Sequence, residues 1–97
     1  MIAPLLVAAA LAVPAAHDWT RFGYDAARSS ASPYATGITA ANAGQLQRQH
    51  VELGGTADSS PIFLHDVDVG GAKHDAFFLT TTYGRTLAVD AATGRIL

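Results

Sequence analysis

The sequence predicts an all-β fold, and features of its second half carry that prediction. Apolar and β-branched residues form a short run over Ala76–Thr82, the composition of a buried, pleated strand. Polar and apolar residues then alternate over Arg85–Asp90, as they do in a strand that has one covered face. Turn residues separate the runs, with Tyr83-Gly84 after the first and Ala91–Gly94 after the second. We therefore expect an antiparallel meander here.

The two turns are predicted in more detail. Gly84 can take the positive φ that a tight hairpin turn requires. In the second turn, the Asp90 carboxylate can accept backbone N–H bonds, and Gly94 again supplies a permissive φ. The residues Arg95–Leu97 begin another strand, inside which the sequence stops. We expect the chain to be part of a longer protein.

One more strand is predicted upstream, over Ser59–Leu64, with Pro61 near its beginning, where a missing ladder donor matters least. The polar segment His65–Asp75 is predicted to be a loop before the strand that starts at Ala76. The order is that of an up-and-down, four-stranded antiparallel sheet. Its expected core consists of the large apolar strand residues Ile62, Phe63, Phe77, Phe78, Leu79, Leu87 and Val89.

The first 16 residues, Met1–Ala16, are apolar, rich in Ala and end in small residues. This pattern is typical of a secretory signal peptide with a cleavage region at Val13–Ala15, and the run is too short to span a bilayer. No Lys or Arg precedes it, so either the true start lies upstream or the amino terminus supplies the only charge. A buried N-terminal strand is the alternative. We expect an exported protein, periplasmic or secreted, with no membrane span in the mature chain.

Residues 17–57 are predicted to form an N-terminal arm. Its first part, His17–Gly37, has neither helical nor strand periodicity and carries Trp19, Phe22 and Tyr24 among Gly, Ser and Asp. These aromatic side chains are expected to pack on a neighbouring surface, and an aromatic cage for a ligand is the alternative.

A short helix and a strand are predicted next in the arm. Ile38–Leu46 is rich in Ala and has Thr39 as a reasonable N-cap. Gln47–Leu53 can form a strand with Val51 and Leu53 on one face.

Composition excludes several classes of function for this sequence. The 97 residues carry 6 Lys and Arg against 8 Asp and Glu, a net charge of −2, so there is no electrostatic footprint for nucleic acid. The sequence contains no Cys, which excludes disulfides, thiolate metal sites and a Cys nucleophile in this segment. Motifs for serine hydrolases, zinc proteases, phosphate loops and dinucleotide sites are missing as well. No catalytic residue can be assigned.

Neighbouring His and Asp residues are the remaining candidates for chemistry. They occur at His17-Asp18, His65-Asp66 and His74-Asp75, but adjacent strand residues point to opposite faces and cannot readily share a metal. We interpret them as solvated loop residues. The spacing Asp66-x-Asp68-x-Gly70 resembles the opening of a calcium loop, whose twelfth position is Phe77 instead of the bidentate Glu that is needed. No metal ligand is predicted.

A family resemblance appears in the second turn. Ala88-x-Asp90-x-x-Thr93-Gly94 resembles the repeat signature of the quinoprotein (PQQ-repeat) β-propellers, in which a Trp follows four residues after the Gly, a position just beyond Leu97. Near the N-terminus, Asp18-Trp19, Phe22-Gly23 and Ser32-Pro33 are similar to the start of the mature chain in that family. An unrelated β-meander with an Asx-type turn is the alternative.

The resemblance implies the N-terminal part of a quinoprotein-like propeller: an irregular arm and about one four-stranded antiparallel blade. The first blade would be residues 58–97 and incomplete. Gln47–Leu53 would be a candidate for the strand that closes the ring, although His50 departs from the aromatic residue often found there. Since neighbouring blades cover both faces of such a sheet, we expect this segment alone not to fold stably; a cooperative thermal unfolding transition of the isolated segment would refute this expectation.

The resemblance also suggests one cofactor-binding residue. Quinoprotein dehydrogenases often carry a Glu near the quinone at the position that corresponds to Asp58, whose side chain is one methylene shorter. A turn residue that caps backbone N–H groups is the alternative. We expect an exported binding or scaffold platform for a protein partner. The alternative is an alcohol or sugar dehydrogenase dependent on PQQ and calcium, and a complete small secreted β-domain is a third hypothesis.

Overall fold

The structure, a computed structural model, describes residues 16–97. The predicted signal peptide lies outside the described residues except for Ala16. The all-β class is confirmed: three antiparallel strands form one open sheet in the order β1-β2-β3. The strands are β1 (Ile62–Val69), β2 (Ala72–Thr80) and β3 (Thr86–Asp90). Within residues 16–97 the only helical element is a 3₁₀ turn over Ala43–Gln45.

The first hairpin corrects the sequence prediction. The segment predicted as a polar loop, His65–Asp75, continues β1, makes a tight turn and begins β2, with Val69 paired to Ala72. Gly70 and Gly71 form the turn with φ values of +64° and +89°. Two successive positive φ values are what a two-residue turn needs if it is to match the twist of its flanking strands.

The second hairpin agrees with the prediction. The Gly84 N–H donates to the Thr81 carbonyl at 3.1 Å, and the Thr81 N–H donates to the Arg85 carbonyl at 2.9 Å. Gly84 has φ +73°, the positive value predicted for it in a tight hairpin turn. Where a fourth strand was predicted, Ile96 forms a single antiparallel bridge with Val89.

The sheet has two faces, and their occupants follow from the register. Phe63, Leu79, Leu87 and Val89 share a face with Phe77, here called the Phe77 face; Ile62, Leu64, Phe78 and Ala88 share the opposite one with Ala76, the Ala76 face. Among residues 16–97, four apolar residues are buried: Ala76, Leu79, Leu87 and Val89. Phe77 was predicted to be a core residue, but it is 40% exposed and lines an open groove on its own face.

A covering segment, residues 47–57, crosses the Phe77 face. The strand predicted over Gln47–Leu53 does not form, and this stretch pairs with none of the three strands. Val51 and Leu53 instead line the groove with Leu79, and the Arg85 Nη1 donates to the Leu53 carbonyl at 3.4 Å. The predicted alternation of Val51 and Leu53 thus serves packing onto a sheet face and not pairing at a sheet edge.

The predicted helix over Ile38–Leu46 is mostly wrong. The Thr39 N–H donates to the Asn42 Oδ1 at 2.7 Å and the Asn42 N–H to the Thr39 Oγ1 at 3.3 Å. This reciprocal pair leads into the 3₁₀ turn, which buries no residue. A helix this short is marginal without an apolar face to pack, and Gly44 lowers its propensity further.

The arm is attached to the free edge of β1. Trp19 and Phe63 exchange two backbone hydrogen bonds, each of 2.8 Å. The Trp19 ring packs edge-on against Tyr24 at 4.8 Å between centroids, and His17 stacks on Tyr34 at 3.5 Å. These contacts agree with the expected packing role of the arm aromatics, but Phe22 is exposed and lies under Arg28.

Candidate functional site

The Asp90 turn contains three of the four residues that carry the family resemblance, Asp90, Thr93 and Gly94. The Asp90 Oδ1 accepts hydrogen bonds from the Ala92 N–H at 2.9 Å, the Thr93 N–H at 2.8 Å and the Thr93 Oγ1 at 3.0 Å. The Gly94 N–H donates to the Asp90 carbonyl at 2.8 Å, and Gly94 has φ +74°. Both roles that the sequence predicted for Asp90 and Gly94 are therefore confirmed.

The second oxygen of the same carboxylate is paired with a histidine. The His74 Nδ1 lies 2.6 Å from the Asp90 Oδ2, and the two side chains are 22% and 12% exposed. The hydrogen bond from His74, followed by that from the Thr93 N–H, lowers the pKa of Asp90 to about 2. The carboxylate thus stays ionised well below neutral pH and joins the start of β2 to the turn after β3.

A second imidazole–carboxylate pair lies on the Phe77 face. The register between β1 and β2 shifts between Leu64 and Val67, so two residues of β1, His65 and Asp66, stand opposite Asp75 in a β-bulge. The Asp75 Oδ1 accepts from the His65 Nδ1 at 2.6 Å and from the Asp66 N–H at 2.8 Å. The bond from the Asp66 N–H, and then that from His65, lower the pKa of Asp75.

The bulge is also connected to the arm. Asp66 has φ +51°, a left-handed conformation in which Asp is among the better tolerated residues. The His65 N–H, which the bulge turns away from β2, donates to the Asp18 Oδ1 at 2.7 Å. One carboxylate from the arm and one from β2 therefore hold the bulge from its two sides.

These contacts correct the interpretation of the His-Asp neighbours as solvated loop residues. His65 and His74 lie in strands, and each pairs with a carboxylate that is distant in sequence. The expectation that adjacent strand residues point to opposite faces does hold, because His74 bonds on the Ala76 face and Asp75 on the Phe77 face. The alternation of Val67 and Val69, followed by Gly70-Gly71, was the signal that could have identified the hairpin.

Asp58, the predicted cofactor-binding residue, lies just before β1 and is exposed. Its Oδ1 accepts from the Thr80 Oγ1 at 2.8 Å, and its N–H donates to the Thr80 carbonyl at 3.1 Å. The Ser59 Oγ accepts from the Thr80 N–H at 2.8 Å, so this stretch extends β1 alongside β2 irregularly. The Asp58 carboxylate thus bonds the side chain of Thr80 on the neighbouring strand and not the local backbone N–H groups of the alternative interpretation, and the cofactor role stays a prediction.

The groove on the Phe77 face is an apolar concavity. It has a volume of about 270 Å³ and is lined by Val51, Leu53, Ala57, Pro61, Phe77, Leu79 and Val89. The side chain of Thr81, further along the same face, is buried, and its Oγ1 has no hydrogen-bond partner. The groove suits apolar groups, since its lining side chains are all apolar.

The calcium-like spacing Asp66-x-Asp68-x-Gly70 lies in the first hairpin. Asp68 of the calcium-like spacing accepts from the Gly71 N–H at 3.0 Å and so serves the hairpin turn. No group of three or more His, Asp or Glu side chains within residues 16–97 is arranged to hold a metal ion. The same residues contain no helix long and apolar enough to cross a membrane.

Comparisons of the chain with protein-family models, with curated proteins and with solved structures found no match.

Proposed function

We propose that this chain is the arm and first blade of an exported, PQQ-repeat-like β-propeller that acts as a binding platform for a protein partner. The observation that carries the proposal is the Asp90 turn. Asp90, Thr93 and Gly94 of the signature form a closed Asx-type turn after β3, and on the returning segment the Leu97 N–H donates to the Ala88 carbonyl at 2.7 Å. This geometry after a strand supports the resemblance to the repeat signature.

The apolar character of both sheet faces supports the same proposal. On the Phe77 face the covering segment leaves the groove open and Phe77 40% exposed. On the Ala76 face, Ile62, Leu64 and Phe78 are only half-buried. Blades that stack face to face in a ring would remove this surface from water, and burial of that kind is the main favourable term in association.

A PQQ-dependent dehydrogenase is the second candidate, favoured by the position of Asp58 beside the start of β1. Calcium and quinone chemistry needs several oxygen ligands and a general base. Residues 16–97 place a single carboxylate here, and its Oδ1 already accepts from Thr80. The described residues therefore do not by themselves form a calcium–quinone site, which is why the platform is preferred.

A titration of the complete protein, of which this chain would be the arm and first blade, with PQQ and calcium separates the two candidates. We expect no saturable, calcium-dependent change in quinone absorbance for the wild-type protein or for its Asp58→Asn variant. Glu52→Gln is the matched control, because Glu52 is an exposed carboxylate in the covering segment. A saturable change that is lost in Asp58→Asn and kept in Glu52→Gln, with dye reduction on an alcohol or aldose, would favour the dehydrogenase over the platform.

The coding sequence beyond Leu97 tests the propeller itself. The proposal expects a Trp next and further copies of the Ala-x-Asp-x-x-Thr-Gly signature at intervals of about 40–50 residues, the spacing of propeller blades. The chain extended by these copies should bind less of a hydrophobic dye per blade than the 97-residue chain does. Coding sequence without any such copy would contradict the propeller.

A further inference from the structure

Two adjacent residues of β2 bond both neighbouring strands at the same end of the sheet. His74 reaches Asp90 at the end of β3 on the Ala76 face, and Asp75 reaches His65 in the bulge of β1 on the Phe77 face. The backbone makes a matching connection, since the Ala91 N–H donates to the Asp75 carbonyl at 2.8 Å. The two pairs are thus attached to a shared stretch of backbone.

Each pair controls an irregular piece of backbone. Asp75 satisfies the Asp66 N–H, which the bulge removes from the ladder. Asp90 satisfies the N–H groups of Ala92 and Thr93, which set the direction of the chain after β3. Backbone bonds also close the Asp90 turn, since the Gly94 N–H donates to the Asp90 carbonyl. The N–H groups named above nevertheless bond carboxylates whose other partner is an imidazole.

We propose that the pairs His65–Asp75 and His74–Asp90 form a pH-responsive device, the two-histidine switch. Protonated imidazoles hold the β1 bulge and the Asp90 turn closed, and neutral imidazoles allow both to open more often. The function is regulatory: the switch sets how firmly the arm and the segment after Gly94 are held against the sheet. It does not depend on whether the chain belongs to a propeller.

The chemistry of the two partners supports a response near neutral pH. An imidazole is the side chain that changes charge between about pH 5 and 8, whereas both carboxylates remain ionised there because hydrogen bonds lower the pKa of Asp90 to about 2 and lower that of Asp75. A neutral imidazole that donates to a carboxylate already makes a charge-assisted hydrogen bond, and protonation of the imidazole adds a direct attraction between opposite charges. Loss of the imidazole charge therefore weakens each pair without abolishing it.

Other charged groups lie on the segments that contact the two pairs. The carboxylate of Asp75 experiences repulsion from that of Asp90. The remaining groups are Asp18 of the arm, Asp66 and Asp68 of β1, Lys73 of β2 and Arg95 after the turn. Carboxylates outnumber cations in this set.

Amide hydrogen exchange of the full chain tests the switch. Protection factors, corrected for intrinsic exchange at each pH, should be about twofold to fivefold higher at pH 5.5 than at pH 8 for the amides of Asp66 and Thr93, the range expected for solvent-accessible ion pairs. The Gly71 amide is an internal control because its acceptor, Asp68, has no histidine partner. Its corrected protection should not change with pH.

Substitutions assign the effect to the individual pairs. His74→Asn keeps a donor near the Asp90 carboxylate but does not titrate, so the pH dependence at Thr93 should vanish while that at Asp66 remains. His65→Asn should give the opposite pattern. His50→Asn is the matched control, since His50 pairs with Glu52 in the covering segment with 73% and 89% of the two side chains exposed; both responses should persist.

Two results would overturn the proposal. One is equal protection of Asp66 and Thr93 at the two pH values in the wild-type chain, including no protection at either. The other is a pH response at Thr93 that survives in His74→Asn. If His74→Asn does not fold, the His65→Asn variant and the comparison of Thr93 with Gly71 in the wild-type chain decide the question.

Discussion

Replacement of Gly94 by Ala tests whether the covering segment packs on the Asp90 turn. Gly94 has φ +74°, and a Cβ at this position would lie 2.9 Å from the Gln49 Nε2 and 3.1 Å from the Val51 Cγ2. Gly84 is a matched control. It has φ +73°, and a Cβ there would meet no heavy atom within 4 Å.

The structure allows the two costs to be separated. An L-residue in the left-handed conformation costs roughly 1–2 kcal/mol, and both Gly84→Ala and Gly94→Ala carry this term. Only Gly94→Ala also displaces Gln49 and Val51. The Gln49 amide is the end of a flexible side chain and can rotate away at little cost in free energy, whereas the short Val51 side chain can move away only together with its backbone. Because Val51 is half-buried, partial loss of its burial adds on the order of 1 kcal/mol. Gly94→Ala should therefore be the more destabilising variant by about that amount.

Thermal unfolding, followed by the fluorescence of the single Trp19 and by circular dichroism, measures this difference. All samples contain the same concentration of trimethylamine N-oxide, which favours the compact state of a domain that is not expected to fold stably alone. The midpoint of Gly94→Ala should lie about 4–8 °C below that of Gly84→Ala, the shift expected for 1 kcal/mol in a domain of this size. In a Val51→Ala background the difference should shrink to a few tenths of a kcal/mol. Equal midpoints of the two single variants would show that residues 49–51 do not pack on the turn.

Two further predictions concern the core and the loss of folding stability at acid pH. Leu79→Ala, at a site 8% exposed, should lower the free energy of unfolding by about 2–5 kcal/mol. Phe77→Ala, at a site 40% exposed, should lower it clearly less in the same assay. The reverse order would show that the core lies elsewhere. The pKa of Asp90 is depressed from 3.8 to about 2, so its stabilising effect is complete above pH 4 and is lost as the pH falls from about 4 to 2. Asp90→Asn should be less stable than the wild type at pH 7 and should lose less of its stability between pH 4 and 2. Leu79→Ala should be less stable at every pH but should show the same pH dependence of stability as the wild type. An equally steep loss of stability at acid pH in Asp90→Asn would contradict the stabilising role of the Asp90 carboxylate.

Local patterns were sufficient for the C-terminal part of the chain. The β2–β3 hairpin and the Asp90 turn agree with the sequence prediction because a positive φ at glycine and an Asx turn depend on only a few consecutive residues. The Gly70-Gly71 hairpin was equally local. Its polar composition concealed it, although Val67 and Val69 alternate as in a strand.

Other features needed the tertiary structure. Val51 and Leu53 would alternate in the same way in a segment that pairs at a sheet edge and in one that lies across a sheet face. Only the groove that they line on the Phe77 face shows that the segment lies across the face. The partners of His65 and His74 lie 10 and 16 residues away, and the bulge opposite Asp75 decides which face each side chain reaches. A one-residue shift in register moves a side chain to the other face of a sheet.

The sequence by itself determined the all-β class, the second hairpin and the hydrogen bonds of the Asp90 turn, because these depend on residues close together in the chain. Only the tertiary structure decided that the covering segment packs on a face, that Phe77 remains exposed and that two histidines bond carboxylates on opposite faces. Those arrangements depend on the relative register and stacking of distant segments, which are set by the burial of apolar area in three dimensions and not by local pattern.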